Sequence, residues 1–524
     1  MNGVHRKTAI STTADLILTF HDRGEGLLWE RYEQQLPLCA FTDNGLNCRK
    51  CFHGPCRINP FGDEPSHGVC GADRDQIVME NVFETTLRGV LDTMRSLALL
   101  GGLDAAGEIP DFASDLLPET RAKLLTKGLL PVRKHQLFEV QNSFFSHKGY
   151  LPMTLADLTR LGLIHYGCFK GMAASISKRR EKHPSFNSGG ANILIAGQVV
   201  PDLLQELRNQ VGQGSGIRKV NVFTDESTLT PFLHTMTNHG TPEFLLAMDL
   251  DTLIVAPSAS FPGLEILARR LEIPVVLVDE TKPHHRTTSV AIDWAIRHRQ
   301  KASYLTGCEM TPSGRSKRTE DIFSRKGEEL REALRGGRIQ GIVTILGEPN
   351  VKQTFFERTL TLLENCLRHR ILVVLGGGLE VQRDLLEDEL TRRAGEELAS
   401  QTKALETDGL SPLNYFGSYY EIPKVVSFLK DVSSAKEFNS LPIVIAFPEF
   451  SKASAWATAV SFLSLGFTVQ IGTRLPFWGS PSLTEILLKE WPKISGGNLL
   501  TAPSPPDAQV QAQEILSLME ERRL

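Results

Sequence analysis

The chain has 524 residues, 41% of them hydrophobic and 23% charged, which is ordinary globular composition and enough for two to four domains with substantial cores. Its 57 basic and 61 acidic residues leave a formal net charge of −4, so neither nucleic acid nor an anionic membrane surface is favoured as a partner. No run of about 18 apolar residues occurs, which argues against a membrane span, and eight cysteines are too sparse for a disulfide scaffold.

The opening stretch, "MNGVHRKTAISTTADLILTF", has no apolar core of signal-peptide length, because "ADLILTF" is short and is interrupted by Asp15. The expectation is a cytoplasmic protein. In a reducing compartment a tight cysteine cluster more often means metal or redox chemistry. Such a cluster follows at once. "LNCRKCFHGPCRINPFGDEPSHGVCGADRD" (46–75) packs four cysteines into one loop broken by Gly and Pro, with the spacing Cys39-x8-Cys48-x2-Cys51-x4-Cys56-x13-Cys70. A C-x2-C pair places two thiolates on one metal or one cluster corner, because the backbone between them turns back. Gly54 and Pro55 supply the next turn, and Gly68 and Gly71 flank Cys70, where backbone passes close to a bulky inorganic core. Four thiolates fit either a tetrahedral zinc or a cubane iron–sulfur cluster. Arg57 and Arg74 stand near enough in sequence to balance thiolate charge.

After the loop, "IVMENVFETTLRGVLDTMRSLALLGG" and "PMTLADLTRLGLIHYGCFKGMAASISKRREKH" repeat apolar residues at helical spacing. "HPSFNSGGAN" (183–192) is a turn-rich break. From there strands and helices alternate. "NILIAG" (192–197), "KVNVFTD" (219–225), "TLIVAP" (252–257) and "PVVLVDE" (274–280) read as strands of a parallel α/β unit. A polar stretch centred on "TPSGRSKRTED" (311–321) separates it from a second unit. That unit carries "GIVTILGEPN" (341–350), "ILVVLGGG" (371–378), "PIVIAFPE" (442–449) and "FTVQIGT" (467–473). The expected architecture is α/β: a helical domain with the cysteine loop (1–188), then two Rossmann-like parallel domains (189–330 and 331–524). In open parallel sheets ligands sit beyond the carboxyl ends of strands, so chemistry is expected at Ala196–Gln198, Phe223–Glu226, Val255–Ser258, Gly347–Asn350, Gly376–Gly378 and Phe447–Phe450. "LGGGLE" (375–380) is a weak phosphate-loop signal, and His284-His285 with Asp279 or Glu280 is a weak metal signal, since adjacent His side chains diverge.

The cysteine spacing, together with "GPCRI" (54–58) and "GVCGADRDQIVMEN" (68–81), resembles the anaerobic nickel–iron carbon monoxide dehydrogenases. In that family this stretch holds the electron-relay [4Fe–4S] cluster called the B-cluster. The resemblance implies Cys48, Cys51, Cys56 and Cys70 as its ligands, and a three-part architecture of one helical and two α/β domains. It also implies a homodimer whose subunits share a further cluster. Here the family's adjacent cysteine pair is Asn47-Cys48, so Cys39 stands without its partner thiol, and the intersubunit cluster is either absent or completed by another group.

The family's nickel-containing C-cluster is held at strand ends by one His and five Cys. The resemblance places its His-Gly-His at Ala196-Gly197-Gln198 and its next cysteine run at "VFTDES" (222–227). Its Gly-Cys-Asn-Asn falls at Gly347-Glu348-Pro349-Asn350, its Thr-Gly-Cys at Gly376-Gly377-Gly378, and its Gly-Ser-Cys at Gly417-Ser418-Tyr419. The proton-relay His falls near Thr93, and the active-site Lys near Lys452. After the loop only Cys168, Cys308 and Cys366 remain, too few to supply five ligands. A soft nickel–iron–sulfur centre needs thiolates. The nickel C-cluster and CO oxidation are therefore expected to be absent.

Three functions compete. The first is a homodimeric electron-transfer or accessory subunit with a redox partner protein. The second is an oxidoreductase whose emptied cavity takes a new ligand and is fed electrons by the cluster. The third is a redox-sensing or assembly scaffold.

Overall fold

The computed structural model describes residues 6–99, 109–130, 132–133, 136–146, 151–177, 190–197, 201–213, 220–224, 234–235, 238–247, 250–256, 261–279, 282–299, 322–393, 395, 410–411, 413–502 and 507–523. Cys308, Gln198, Asp225, Glu226 and residues 257–260 lie outside them.

A short antiparallel ribbon comes first, β1 (Asn47–Cys48) paired with β2 (Cys56–Arg57). Two parallel sheets follow. The first contains β3 (Ala191–Ala196), β4 (Val220–Thr224), β5 (His234–Thr235), β6 (Thr252–Val255) and β7 (Val275–Leu277), in the order β5-β4-β3-β6-β7. The second contains β8 (Gly341–Ile345), β9 (Ile371–Gly376), β10 (Leu413–Gly417), β11 (Ile443–Phe447), β12 (Thr468–Ile471) and β13 (Asn498–Leu500), in the order β10-β9-β8-β11-β12-β13. The central strands "GIVTI", "ILVVLG" and "IVIAF" are buried at every position, as strands covered by helices on both faces must be. Strand order reverses between β3 and β6 and again between β8 and β11, which opens a crevice beyond the carboxyl ends at each reversal. This is the α/β architecture of two Rossmann-like sheets expected from the strand–helix alternation. Among the described residues no helix is long and apolar enough to cross a membrane.

Three helices form the layer beside the second sheet: Arg74–Leu99, Leu151–Ser177 and Ala453–Ser464. Their close approach depends on glycine. A Cβ on Gly162 would lie 2.4 Å from Ser464 Oγ and 2.7 Å from the Val460 carbonyl oxygen, and one on Gly89 would lie 2.3 Å from the Ala453 carbonyl oxygen. Gly162→Leu is therefore expected to lower stability by about 3 kcal/mol or more, since backbone blocks the added side chain. A fall in the urea midpoint checks this. The Ala453–Ser464 helix follows directly on β11, so the same packing that buries its face holds Lys452 and Ser454 at the crevice.

The start of the chain packs on the sheets. Thr8 bridges to Phe355, and Thr13 Oγ1 meets His239 Nδ1 at 2.8 Å. Arg31 pairs with the buried Glu243 at 2.7 Å.

Glu449, just after β11, is 2% exposed and caps the Glu357–Arg368 helix from another element. It accepts from the backbone N–H groups of Phe356 (3.1 Å), Arg358 (3.1 Å) and Thr359 (3.3 Å). Burial nevertheless pushes its carboxyl up to about 7, against those donors and the charge of Arg358. An acid whose folded pKa exceeds its unfolded value binds the proton more tightly when native. Its contribution is thus fully present at low pH and is lost as pH rises through the window from 4.5 to about 7. Burial holds His165 down at about 3 and His239 at about 4, which gives the opposite slope below 6.5, so the comparison is made against a variant at each pH. Relative to the unaltered protein, Glu449→Gln is expected to gain roughly 2–3 kcal/mol between pH 5 and pH 7.5, read from urea midpoints.

Candidate functional site

Cys48 and Cys56 face each other across the β1–β2 ribbon. The turn between them is closed by the Gly54 N–H donating to the Cys51 carbonyl at 3.2 Å. A second tight turn holds Cys70, with the Gly68 N–H on the Ala72 carbonyl (2.8 Å) and the Gly71 N–H on the Gly68 carbonyl (2.9 Å). Gly71 takes a φ of +87°, in the left-handed region that favours glycine. Cys48, Cys51, Cys56 and Cys70 thereby line one cavity of about 210 Å³. The Val69 N–H donates to Cys56 Sγ at 3.5 Å, and the Lys50 N–H is directed at Cys48. Burial raises the Cys48 thiol above the ordinary range, with the Lys50 N–H acting against it.

The loop is anchored on three sides. Asn81 Nδ2 donates to the carbonyls of Gly45 (2.8 Å) and Asn47 (2.9 Å). Asp73 and Gln76 cap the Arg74–Leu99 helix reciprocally, each backbone N–H donating to the other's side chain at 2.9 Å. Gly45, at φ +75°, lies so close to Pro476 that a Cβ there would sit 2.0 Å from its carbonyl oxygen. Among the described residues no three His, Cys, Asp or Glu side chains converge as they would on a single metal ion. The four thiols line this one cavity together.

The cation at the cavity wall is Lys50, whose ammonium pairs with Glu84. Arg57 instead lies over the Phe41 ring, 5.4 Å from its centroid. Cys39 is not brought into the cavity. It lies exposed at the start of the Ala40–Asp43 helical turn, where the Thr42 hydroxyl and N–H hold its thiol below the ordinary range. Cys168 and Cys366 are wholly buried in helices, each within an apolar core, and burial pushes Cys366 far up. His285 stands 3.8 Å from Glu206, and Asp279 pairs with Lys282 at 2.6 Å, so neither joins a His284-centred metal site.

A second cavity, about 350 Å³, lies at the crevice between β8 and β11, roofed by the Arg74–Leu99 and Leu151–Ser177 helices. Glu348 follows β8, Gly378 follows β9, Tyr419 follows β10 and Lys452 follows β11, and all four line it. No cysteine does. Glu348 Oε1 accepts from the backbone N–H groups of Ser451 (3.1 Å) and Lys452 (2.8 Å), while Oε2 accepts from the Tyr419 hydroxyl at 3.3 Å. A Cβ on Gly378 would lie 2.6 Å from the Gly347 carbonyl oxygen and 3.2 Å from Glu348 Oε2. Thr93 lines the roof, and its hydroxyl meets His165 Nε2 at 2.7 Å. His165, wholly buried, is also bonded to Ser461 at 2.9 Å. The helix pattern gave no hint of His165, a single polar residue on an apolar stripe. Gly197, at the end of β3, is buried.

Residues 46–99 and 258–505, more than half of the chain, match the model of the Prismane/CO dehydrogenase family. Carbon monoxide dehydrogenase 1 of Methanosarcina acetivorans is 24% identical over 95% of each chain, and the carbon monoxide dehydrogenase of Rhodospirillum rubrum is 23% identical over 94% of each. Among solved structures, carbon monoxide dehydrogenase IV of Carboxydothermus hydrogenoformans superposes with a TM-score of 0.78 at 19% identity, covering 97% of this chain and 98% of its own. A nickel-free carbon monoxide dehydrogenase of Thermococcus sp. AM4 gives 0.79 at 19% identity, covering 99% and 97%. The two parallel sheets are thus part of a shared fold, and this chain belongs to the Prismane/CO dehydrogenase family.

Proposed function

We propose that this protein is an iron–sulfur electron-transfer or accessory subunit. It carries one [4Fe–4S] cluster on Cys48, Cys51, Cys56 and Cys70 and no nickel C-cluster. The cubane is favoured over zinc by the family to which the cysteine loop belongs, and its four thiols line one cavity. The glycine turns bring backbone N–H groups to the sulfurs, as such clusters require. When bound, the cluster supplies one-electron transfer. The chain's own residues fix the sulfurs and keep Cys51 and Cys70 at the surface, where Phe52, Phe61 and Val69 are also exposed to a docking redox partner.

One observation carries the claim of a lost nickel centre. Three positions that the family resemblance assigns to thiolates close on one another: Tyr419 bonds Glu348, and Gly378 has no room for a side chain between Gly347 and Glu348. A hydrogen-bonded carboxylate and phenol occupy the place of soft ligands, and neither suits nickel in a sulfide cluster. The same proposal takes the chain as a cytoplasmic homodimer of three-part subunits (1–188, 189–330, 331–524), with Cys39 exposed on the surface of each. Metal analysis with EPR on anaerobically purified protein tests it. Zinc in the loop, or stoichiometric nickel, would sink the proposal.

A second reading, an oxidoreductase with a repurposed cavity, is favoured by the cavity of about 350 Å³ at the strand ends, lined by Glu348, Tyr419 and Lys452.

A further inference from the structure

The cavity that the four thiols share has one wall on the Arg74–Leu99 helix. Ala72 and Ile77 make that side apolar, and Glu80, only 8% exposed, lines the same cavity as Cys48. Helix propensity does not ask for an acid there, since glutamine or alanine would continue the helix as well, and burying a carboxylate is costly. The position is fixed. The next residue, Asn81, holds the carbonyls of Gly45 and Asn47, which pins this turn of the helix against the ribbon that carries Cys48.

Two charges of opposite sign act on Cys48 from the cavity wall. Burial raises the Cys48 thiol most, and the Lys50 N–H acts against it. The charge of Glu80 then raises the thiol by more than the Lys50 ammonium lowers it. The difference in weight has a structural reason. The Lys50 ammonium pairs with Glu84, which is exposed, so its charge is offset by a counter-ion and screened by water. Glu80 lies deeper, where a charge acts through a medium of low dielectric. The direction of its effect does not depend on what else Glu80 bonds. Exchanging the acid for an amide removes one negative charge from beside the sulfurs in every case. An electron added to a cubane on these cysteines makes it more negative, and a neighbouring anion opposes that addition.

We propose that Glu80 holds the reduction potential of the [4Fe–4S] cluster down by placing a negative charge beside Cys48, which makes the reduced cluster a stronger electron donor. The inference rests on the reading of the loop as a cluster site, and the test separates the two. Redox titration followed by EPR is run at a single pH on the anaerobically purified full chain, with iron counted on the same samples. Glu80→Gln is expected to raise the midpoint, so that the ratio of reduced to oxidised cluster at a given potential grows about tenfold, ~59 mV for a one-electron couple, with iron unchanged. Glu80→Asp keeps the charge and is expected to stay within about twofold of the unaltered protein. Lys50→Gln is expected to move the midpoint downward. A Glu80→Gln midpoint within about twofold of the unaltered one, or an upward shift in Lys50→Gln, would overturn the proposal. So would a Glu80→Asp shift as large as that of Glu80→Gln, or a Glu80→Gln chain that takes up no iron, because Glu80 would then serve structure rather than charge. An unaltered protein that forms no iron–sulfur cluster brings down the reading of the loop and this proposal with it, whereas an intact cluster with an unmoved midpoint overturns this proposal alone.

Discussion

Reconstituted anaerobically with iron, sulfide and nickel, the protein is expected to hold about four irons per chain, to retain no stoichiometric nickel and to leave CO unoxidised. Inductively coupled plasma analysis and a dye-linked CO assay, run beside an active carbon monoxide dehydrogenase, read all three. The physical reason is the donor inventory at the crevice. A nickel–iron–sulfur centre is held by thiolates, and the described cysteines other than the front loop and Cys39 are Cys168 and Cys366, both wholly buried inside helices. Other groups stand at the crevice. Glu348 spans from β8 to the N–H groups that follow β11, and Tyr419 leans onto it from β10. A single cysteine placed at position 378 is not expected to build such a centre, because a Cβ there meets the Gly347 carbonyl oxygen at 2.6 Å. Stoichiometric nickel with CO turnover would show that the ligands come from elsewhere in the chain.

Cys56→Ser is expected to remove most of the iron and the broad absorption near 400 nm, with the reversible EPR signal lost in parallel. Cys56 stands opposite Cys48 in the β1–β2 ribbon and accepts the Val69 N–H, so its loss removes one cluster corner and loosens the turn that carries Cys70. Serine retains the size but supplies a hard oxygen in place of a soft sulfur. Cys366→Ser is the matched control. It puts a hydroxyl into a wholly buried apolar site and is expected to cost about 1–3 kcal/mol of stability while leaving iron unchanged. Cys39→Ser separates one cluster from two. Its thiol lies outside the loop cavity, so iron per chain stays constant unless a cluster is shared between two copies, in which case it falls by about two.

The core strands were legible because a strand covered on both faces must be apolar throughout. β3, β8, β9 and β11 lie within a residue or two of where "NILIAG", "GIVTIL", "ILVVLG" and "PIVIAF" placed them. Edge strands escaped. β10, "LNYFG", alternates buried and half-buried residues at the rim of its sheet, and β13 has only three residues, so neither produces an apolar run. The β1–β2 ribbon escaped for another reason, since two-residue strands have no period to detect. His165 was invisible, and Glu449 was legible only as part of a strand end, because the role of a buried polar residue is explained only by its partners, here Thr93, Ser461 and the N–H groups of Phe356 and Thr359, which lie far away in sequence.

By itself the order of residues determined where sulfur can gather, because Cys48, Cys51, Cys56 and Cys70 share one short loop and spacing within a loop is local information. It also determined that ligands would be sought at strand ends, because apolar runs ending in glycine mark those ends. Only the tertiary structure decided what the crevice now contains. Glu348, Gly378, Tyr419 and Lys452 come from four strands brought side by side by sheet order, and whether such residues bond or block depends on distances that no linear pattern encodes.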